Sequence, residues 1–580
     1  MSSISQNEKQ ELHGERHSSL TQAKIRLALV AAFFLLGYFA ISLRLADLTL
    51  LRDTPAAETA TAAERDVQPL AHPLRGTIVD RNGELVATSL AMPSVFANTT
   101  QIENPGAVAK ELAAILTGEK ESDILKKLSS GRKFIWIERR ITPKQQYAIN
   151  ALGHPGLGFQ EEDRRIYPGG NLTAHLTGYT DVDGRGIAGI EKSGEDILKG
   201  GETPVRLTVD LRVQHILHRE LSTAVDKFHA KAAAGLVMDV NTGEIIAMVS
   251  LPDFDPHRPS EAADDSKFNR ATLGVFEMGS TMKLFSTAGA LDSGRVNFSS
   301  SFDATEPIHI GRFTISDYHA KHRVMSVPEI FMYSSNIGTA RMAQAMGENG
   351  LKDFYARMGF FEAVPIELPE RGAPLYPKPW REVSTLTASF GHGIAVSPLH
   401  LVRAAAALVN GGVMVTPSLV KLDGDKALSP APVGPRVIQP QTSQKVRQLM
   451  ELVVAGGTGS QAAVDGYNVG GKTGTAEKNT HGRYTENALL SSFIGVYPIE
   501  SPRYAVLAML DEPKPAPDTH GYATGGWTAA PVVARVVEQM APLYQIPPAL
   551  DMRGDVVREM SKYLSEPMVE KSFAPLGTDR

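Results

Sequence analysis

The sequence predicts an α+β multidomain chain: one N-terminal transmembrane helix, a mixed α/β segment, and a larger part built on one sheet with helices on both faces. Three observations carry that expectation. Leu27 to Leu43 is an almost unbroken apolar run; hairpin and helix signals alternate from about 70 to 203; and beyond 204, strand patterns bracket a long helix-rich middle.

Residues 1–23 are polar and mixed in charge, and read as a short cytoplasmic tail. The anchor is expected over 24–46. At 1.5 Å per residue the apolar run spans about 25 Å, the lower limit for crossing the hydrocarbon core, and Arg44 can snorkel while Leu45 and Ala46 extend it. A cleaved signal peptide shares the basic-then-apolar pattern. The polar leader is longer than such peptides have, however, and the best small-residue site, Ala60-Thr61-Ala62, lies far downstream, so an uncleaved anchor is expected. Lys24 and Arg26 place the N-terminus inside, so the chain beyond residue 50 lies outside the cytoplasm.

Residues 47–69 include the Ala/Thr-rich stretch 53–66 and read as a linker. In 70–203, Asn82-Gly83 between apolar runs is a hairpin signal, because both residues tolerate positive φ. Ala107 to Leu116 is helix-like. From 204 to 546, a helical period through Val213, Ile216, Leu217 and Leu221 precedes two strands within Ala234–Val249, joined at Asn241-Thr242-Gly243. Leu399 to Asn410 is helical and stops at Gly411-Gly412; Leu489–Val496 and Tyr504–Leu510 read as further strands. Residues 547–580 turn charged and lose periodicity, as a loosely held tail does.

The 580-residue chain has 59 Lys+Arg against 64 Asp+Glu, a net charge of -5, which argues against nucleic-acid binding. With 0 Cys, disulfides, Cys-ligated metals and cysteine nucleophiles are excluded. No cofactor and no metal site is called for, since the paired histidines His215/His218 and His319/His322 lack a His-Glu-x-x-His pattern.

Three short motifs carry chemistry. Ser280-Thr281-Met282-Lys283 puts a hydroxyl and an amine on one helix face. The amine can take the hydroxyl proton only when neutral, which needs burial, a neighbouring cation or the positive end of a helix. Ser130-Gly131-Arg132-Lys133 and Ser418-Leu419-Val420-Lys421 repeat the spacing, so alone the pattern is weak. Ser334-Ser335-Asn336 offers a hydroxyl to pass a proton and an amide to hold a carbonyl, although alone it is a helix-cap signal. Lys472-Thr473-Gly474-Thr475 places a cation and two hydroxyls on a strand open to a ligand carboxylate. Gly466 to Thr473 also satisfies the phosphate-loop pattern, but the Gly-rich upstream stretch and strand-like downstream run do not suit that motif.

Order and spacing are decisive: Ser-x-x-Lys, then Ser-x-Asn about 50 residues on, then Lys-Thr-Gly well beyond. With Arg75-Gly76, Asp80-Arg81-Asn82-Gly83, Arg165-Ile166-Tyr167-Pro168, Gly189-Ile190-Glu191 and Ser389-Phe390-Gly391-His392-Gly393, the chain resembles the class B penicillin-binding proteins, and among them the division-specific D,D-transpeptidases. The resemblance implies a non-catalytic, dimerisation-like pedestal at 70–203 and, at 204–546, a β-lactamase-like transpeptidase domain with a central antiparallel sheet flanked by helices. No room remains ahead of it for a glycan-polymerising domain.

By the same resemblance Ser280 is the acyl-ester nucleophile on D-Ala-D-Ala, Lys283 its general base, and Ser334 the proton shuttle. Asn336 orients Lys283 and substrate, and Lys472 adds charge that keeps Lys283 neutral. Thr473, Gly474 and Thr475 bind the substrate carboxylate, and the backbone N–H groups of Ser280 and Thr475 form the oxyanion hole. The implied partners are peptidoglycan stem peptides, β-lactams, the septal glycan polymerase and other division-complex membrane proteins, at the inner membrane of the division septum with the catalytic domain periplasmic. The alternatives are an elongation-type transpeptidase, a D,D-carboxypeptidase, and a penicillin-binding sensor or septal scaffold without turnover. Met278 and His400 stand where many relatives have Pro and Gln.

Overall fold

The computed structural model describes residues 28–43, 75–201, 203–311, 313–421, 433–480, 483–549 and 553–565. The chain divides into two compact units, residues 1–72 and 73–580. In the first, 28–43 is a helix whose apolar side chains are exposed, Phe33 by 75%. Among the described residues no helix is long and apolar enough to cross a membrane. The expected anchor extends at both ends beyond the described residues.

The second unit starts on a small sheet. Strands β1 (Ile78–Val79) and β2 (Leu85–Ala97) form the hairpin expected at Asn82-Gly83, with Gly83 at φ +95°. Strands β3 (Ile135–Glu138) and β4 (Leu157–Ile166) pair antiparallel with β2. The short β5 (Val205–Arg206) runs parallel to β1, so this sheet draws a strand from just past residue 203. Beneath it three buried side chains tie distant segments together. Arg75 Nε and Arg165 Nε donate to opposite oxygens of Glu191 at 2.5 and 2.7 Å, and Arg165 also donates to the Gly76 carbonyl at 2.8 Å.

The larger sheet has the order β8-β9-β10-β6-β7, all antiparallel: β6 (Ala232–Asp239), β7 (Ile245–Leu251), β8 (Gly470–Thr480), β9 (Arg483–Tyr497) and β10 (Tyr504–Asp511). Alternation assigns its faces. Ala233 and Val237 join α1 (Leu211–Lys227) and α7 (Ala530–Leu543) in one core. Ala234, Leu236 and Met238 join α2 (Met282–Asp292), α4 (Asn336–Met346), α5 (Pro398–Val409) and α6 (Pro440–Gly456) in the other. Helix α3 (Val327–Tyr333) lies on the same side as α2. Strand β8 is an edge strand, with one side left unpaired by the sheet.

Of the tail expected from 547, residues 566–580 lie outside the described residues, and 553–565 is packed on the fold. Arg553–Met560 is a helix with Val556 and Met560 buried in the second core, an anchorage that two apolar residues four apart provide and that a charged-sequence reading overlooks.

Candidate active site

Helix α2 is apolar almost all round and buried from Met282 to Leu291, which carries Lys283 into the core at 1% exposure. Ser280 precedes it on the 3-10 turn Gly279–Thr281 and is half-buried. Gly279 sits at φ +53°, and a Cβ there would collide with the Thr475 carbonyl. A Cβ on Gly391 would in turn collide with the Gly279 carbonyl. The nucleophile turn is thus wedged between the β8 edge and the 391–393 turn, where Gly393 N donates to Glu277 at 3.2 Å.

Ser334 is the hinge between two helices. It C-caps α3 in the left-handed region at φ +59°, a conformation costing about 1–3 kcal/mol for a non-glycine residue. Ser335 N-caps α4, its hydroxyl accepting from Gly338 N at 2.9 Å. The Ser334 hydroxyl is where the motifs meet. Lys283 Nζ donates to it at 3.1 Å and Lys472 Nζ at 3.0 Å, while Lys283 also donates to the Ser334 carbonyl. Lys472 donates further to the Thr473 carbonyl at 3.2 Å.

Among the described residues neither amine has a carboxylate within ion-pair distance. Burial lowers Lys283 to about 7 against the weaker opposing pull of Asp317, and that is about 5 kcal/mol in favour of the neutral amine. Burial, with the nearby Lys283 charge, holds Lys472 well below the ordinary lysine value. Two buried amines sharing one hydroxyl do not both stay charged near neutrality.

Thr475 is half-buried beside the nucleophile turn, its hydroxyl accepting from Gly525 N at 3.2 Å. Thr473 is more enclosed and shares a 2.8 Å hydrogen bond with the Thr458 hydroxyl. Gly474 is a packing glycine: a Cβ would strike the Ser492 hydroxyl and come within 2.8 Å of the Met278 carbonyl.

Two details differ from the sequence expectation. Among the described residues, Lys283 hydrogen-bonds Ser334 and not Ser280. The Asn336 amide donates to the Ser316 carbonyl at 2.8 Å instead of meeting Lys283. The sequence also gave no hint of Asp317, whose carboxylate accepts from Asn336 N at 2.5 Å, Ile337 N at 2.9 Å and the Ser335 hydroxyl at 2.7 Å. An acid nineteen residues ahead of a helix start has no local signature.

The decoys separate cleanly. Ser130 is exposed on a turn of the smaller sheet region, and Ser418 donates to Glu367 at 2.5 Å. The phosphate-loop pattern is no loop, since Lys472 lies inside β8 with no helix after it. Among the described residues no group of three or more His, Asp or Glu is arranged to hold a metal.

This sheet with its serine between two buried lysines defines a serine acyl-transfer fold of the penicillin-binding kind, and the comparisons agree. Residues 233–538 match the penicillin binding protein transpeptidase domain and residues 70–225 the penicillin-binding protein dimerisation domain. The chain belongs to the class B penicillin-binding proteins. It is 40% identical over 484 residues to the probable peptidoglycan D,D-transpeptidase FtsI of Caulobacter vibrioides, covering 81% of each chain. It is 33% identical over 517 residues to peptidoglycan D,D-transpeptidase FtsI of Escherichia coli K12, covering 83% of this chain and 85% of that one. Penicillin binding protein 3 of Mycobacterium tuberculosis, solved with aztreonam, superposes with a TM-score of 0.65 at 25% identity, over 82% of this chain and 97% of that one.

Proposed function

We propose that this chain is a peptidoglycan D,D-transpeptidase of the FtsI type, with Ser280 as its nucleophile. The observation that carries the site assignment is the Ser334 hydroxyl held by two buried amines, 3.1 Å from Lys283 and 3.0 Å from Lys472, with no carboxylate paired to either among the described residues. Neutral Lys283 takes the Ser280 proton as Oγ attacks the penultimate D-Ala carbonyl carbon of a stem peptide. Charge develops on the carbonyl oxygen, which the N–H groups of Ser280 and Thr475 receive, each such donor contributing about 10²–10³ in rate. The C–N bond then breaks, and the proton passes through Ser334 to the departing D-Ala amine. An acceptor amine on a neighbouring stem attacks the ester, gives up a proton, and frees Ser280. Lys472 shares the Ser334 hydroxyl with Lys283 at 3.0 Å and holds the proton shuttle in place, while burial is what favours neutral Lys283. Thr475, with Thr473 behind it, holds the terminal carboxylate, Gly474 keeps that strand close to the nucleophile turn, and Asn336 swings toward substrate once it is bound. A β-lactam enters the first half of this cycle and stalls as the acyl-enzyme.

The same proposal covers the chain's setting. The apolar run at 24–46 serves as a single-pass inner-membrane anchor behind a cytoplasmic tail (1–23), with a linker at 47–69, a pedestal at 70–203, a periplasmic transpeptidase part at 204–546 and a tail from 547. Septal work beside a glycan polymerase and other division-complex membrane proteins belongs to the same proposal and rests on the likeness to the class B division enzymes, while the relatives' printed names speak for the transpeptidase activity. Covalent labelling of the detergent-solubilised full chain by a fluorescent penicillin tests the site. Label is expected in wild type, Ser130→Ala and Ser418→Ala, and absent in Ser280→Ala. Label that survives in Ser280→Ala sinks the assignment.

A further inference from the structure

Helix α3 is short, so whatever fixes its first turn also fixes Ser334 at its end. Its N-cap is Ser326, whose backbone N–H donates to Glu329 Oε2 at 2.9 Å while Glu329 N donates to the Ser326 hydroxyl at 3.3 Å, a reciprocal capping box. From Glu329 to Ser334 is five residues, about 7.5 Å of helix. Glu329 is 1% exposed, an unusual depth for a capping carboxylate, and two more groups converge on it. Arg323 donates to Oε1 at 2.9 Å. The other is the C-terminal segment: Ser565 N donates to Oε1 at 2.7 Å and the Ser565 hydroxyl to Oε2 at 3.4 Å. The Ser326 hydroxyl completes the clasp by donating to the Tyr563 carbonyl at 2.6 Å.

That segment is itself held firmly. The helix Arg553–Met560 buries Val556 and Met560, Glu559 accepts from Gln448 of α6 at 2.9 Å, and the Tyr563 ring packs edge-on against Phe298 at 5.6 Å. Helix α6 runs on to Gly457, where a Cβ would press on Met332 of α3, and to Thr458, which bonds Thr473. One terminal segment therefore touches the first turn of the helix that presents Ser334 and the helix that leads to the β8 threonines.

We propose that Glu329, clasped by the Ser565 backbone N–H while the Tyr563 carbonyl holds its capping partner Ser326, is a positioning residue that sets the Ser334 hydroxyl between Lys283 and Lys472. The C-terminal segment is in this sense part of the catalytic apparatus, though it lies a helix length away from it. The inference rests on the role of Ser334 given above.

The test is stopped-flow acylation of the full-length, detergent-solubilised protein by a fluorescent penicillin, separating the binding constant K from the acylation rate k2, with labelling stoichiometry and thermal midpoint recorded. Ser565→Pro removes the N–H donor to Glu329; Ser565→Ala keeps it; Glu329→Gln keeps shape and loses charge; Ser334→Ala reports the group being positioned. We expect k2 to fall about tenfold in Ser565→Pro and Glu329→Gln, as partial misplacement of a reacting group does. K and the labelled fraction should hold; Ser565→Ala, which loses only the 3.4 Å hydroxyl bond, should slow k2 less than Ser565→Pro does; and Ser334→Ala should be slower than all of them. Wild-type k2 in Ser565→Pro and Glu329→Gln, with Ser334→Ala slow, overturns the clasp and leaves the site reading standing. A lower labelled fraction at unchanged k2 assigns the clasp to folding alone and also overturns it. Wild-type k2 in Ser334→Ala overturns the clasp together with the proposed role of Ser334.

Discussion

Two regions of this molecule bury positive charge, and they treat it in opposite ways. Under the small sheet, Arg75 and Arg165 are enclosed but Glu191, fully buried, takes both, and Glu195 adds a second carboxylate to Arg75 at 2.8 Å. Under the edge of the large sheet, Lys283 and Lys472 are enclosed as deeply and, among the described residues, find only hydroxyl and carbonyl oxygens. A paired guanidinium stays charged and ties segments together. An amine with no carboxylate beside it loses its proton readily, which is a cost to stability and the condition for taking a proton from Ser280. The contrast separates a structural charge from a chemical one without any motif.

The contrast can be broken from either side. The largest effect is expected at the nucleophile: Ser280→Ala should abolish penicillin labelling while the thermal midpoint stays within a degree or two, as about one lost hydroxyl implies. Next, Lys283→Met should slow acylation by about 10²–10⁴, and because it removes an amine that burial disfavours when charged, thermal unfolding should occur at the same or higher temperature. A midpoint several degrees lower would show that Lys283 is a structural cation after all. Glu191→Gln should do the reverse. It leaves buried guanidinium charge uncompensated, costing about 3–5 kcal/mol in denaturant titration, while acylation per folded molecule is unchanged. The smallest effect belongs to His400, which burial lowers to about 4 and which bonds the Ser397 hydroxyl at 2.7 Å and the Glu362 carbonyl at 2.8 Å. His400→Gln preserves a capping-box residue at the third helical position and should change stability by less than about 1 kcal/mol in the same titration.

Much of this was legible in the chain because its signals are local. Asn82-Gly83 marks a hairpin, Val213 to Leu221 a helix face, and the strand runs near 234–249 and 489–510 fall within the large sheet. Motif order points to Ser280, Ser334 and Lys472, and the structure brings Lys283 and Lys472 to the Ser334 hydroxyl. What stayed hidden is non-local. The Asp317 clamp on residues 335–337, the Thr458–Thr473 contact and the docking of residues 553–565 on the α3 cap join segments far apart in sequence, and no periodicity or spacing rule reaches across such distances. The Asn336 rotamer was hidden for another reason, because an amide has several partners in reach and only packing chooses among them.

The chemistry turns on Lys283 losing its proton near neutral pH because it is buried with no carboxylate paired to it among the described residues. That loss is tested most directly by the pH dependence of the second-order acylation rate of the full-length protein, from pH 5 to pH 10, with a penicillin that does not titrate in that range. A protonated Lys283 cannot accept the Ser280 proton, so the rate should climb about tenfold per pH unit on the acid side and level off above a midpoint near 7. A midpoint near that of an ordinary lysine, or a rate that stays flat down to pH 5, would contradict it.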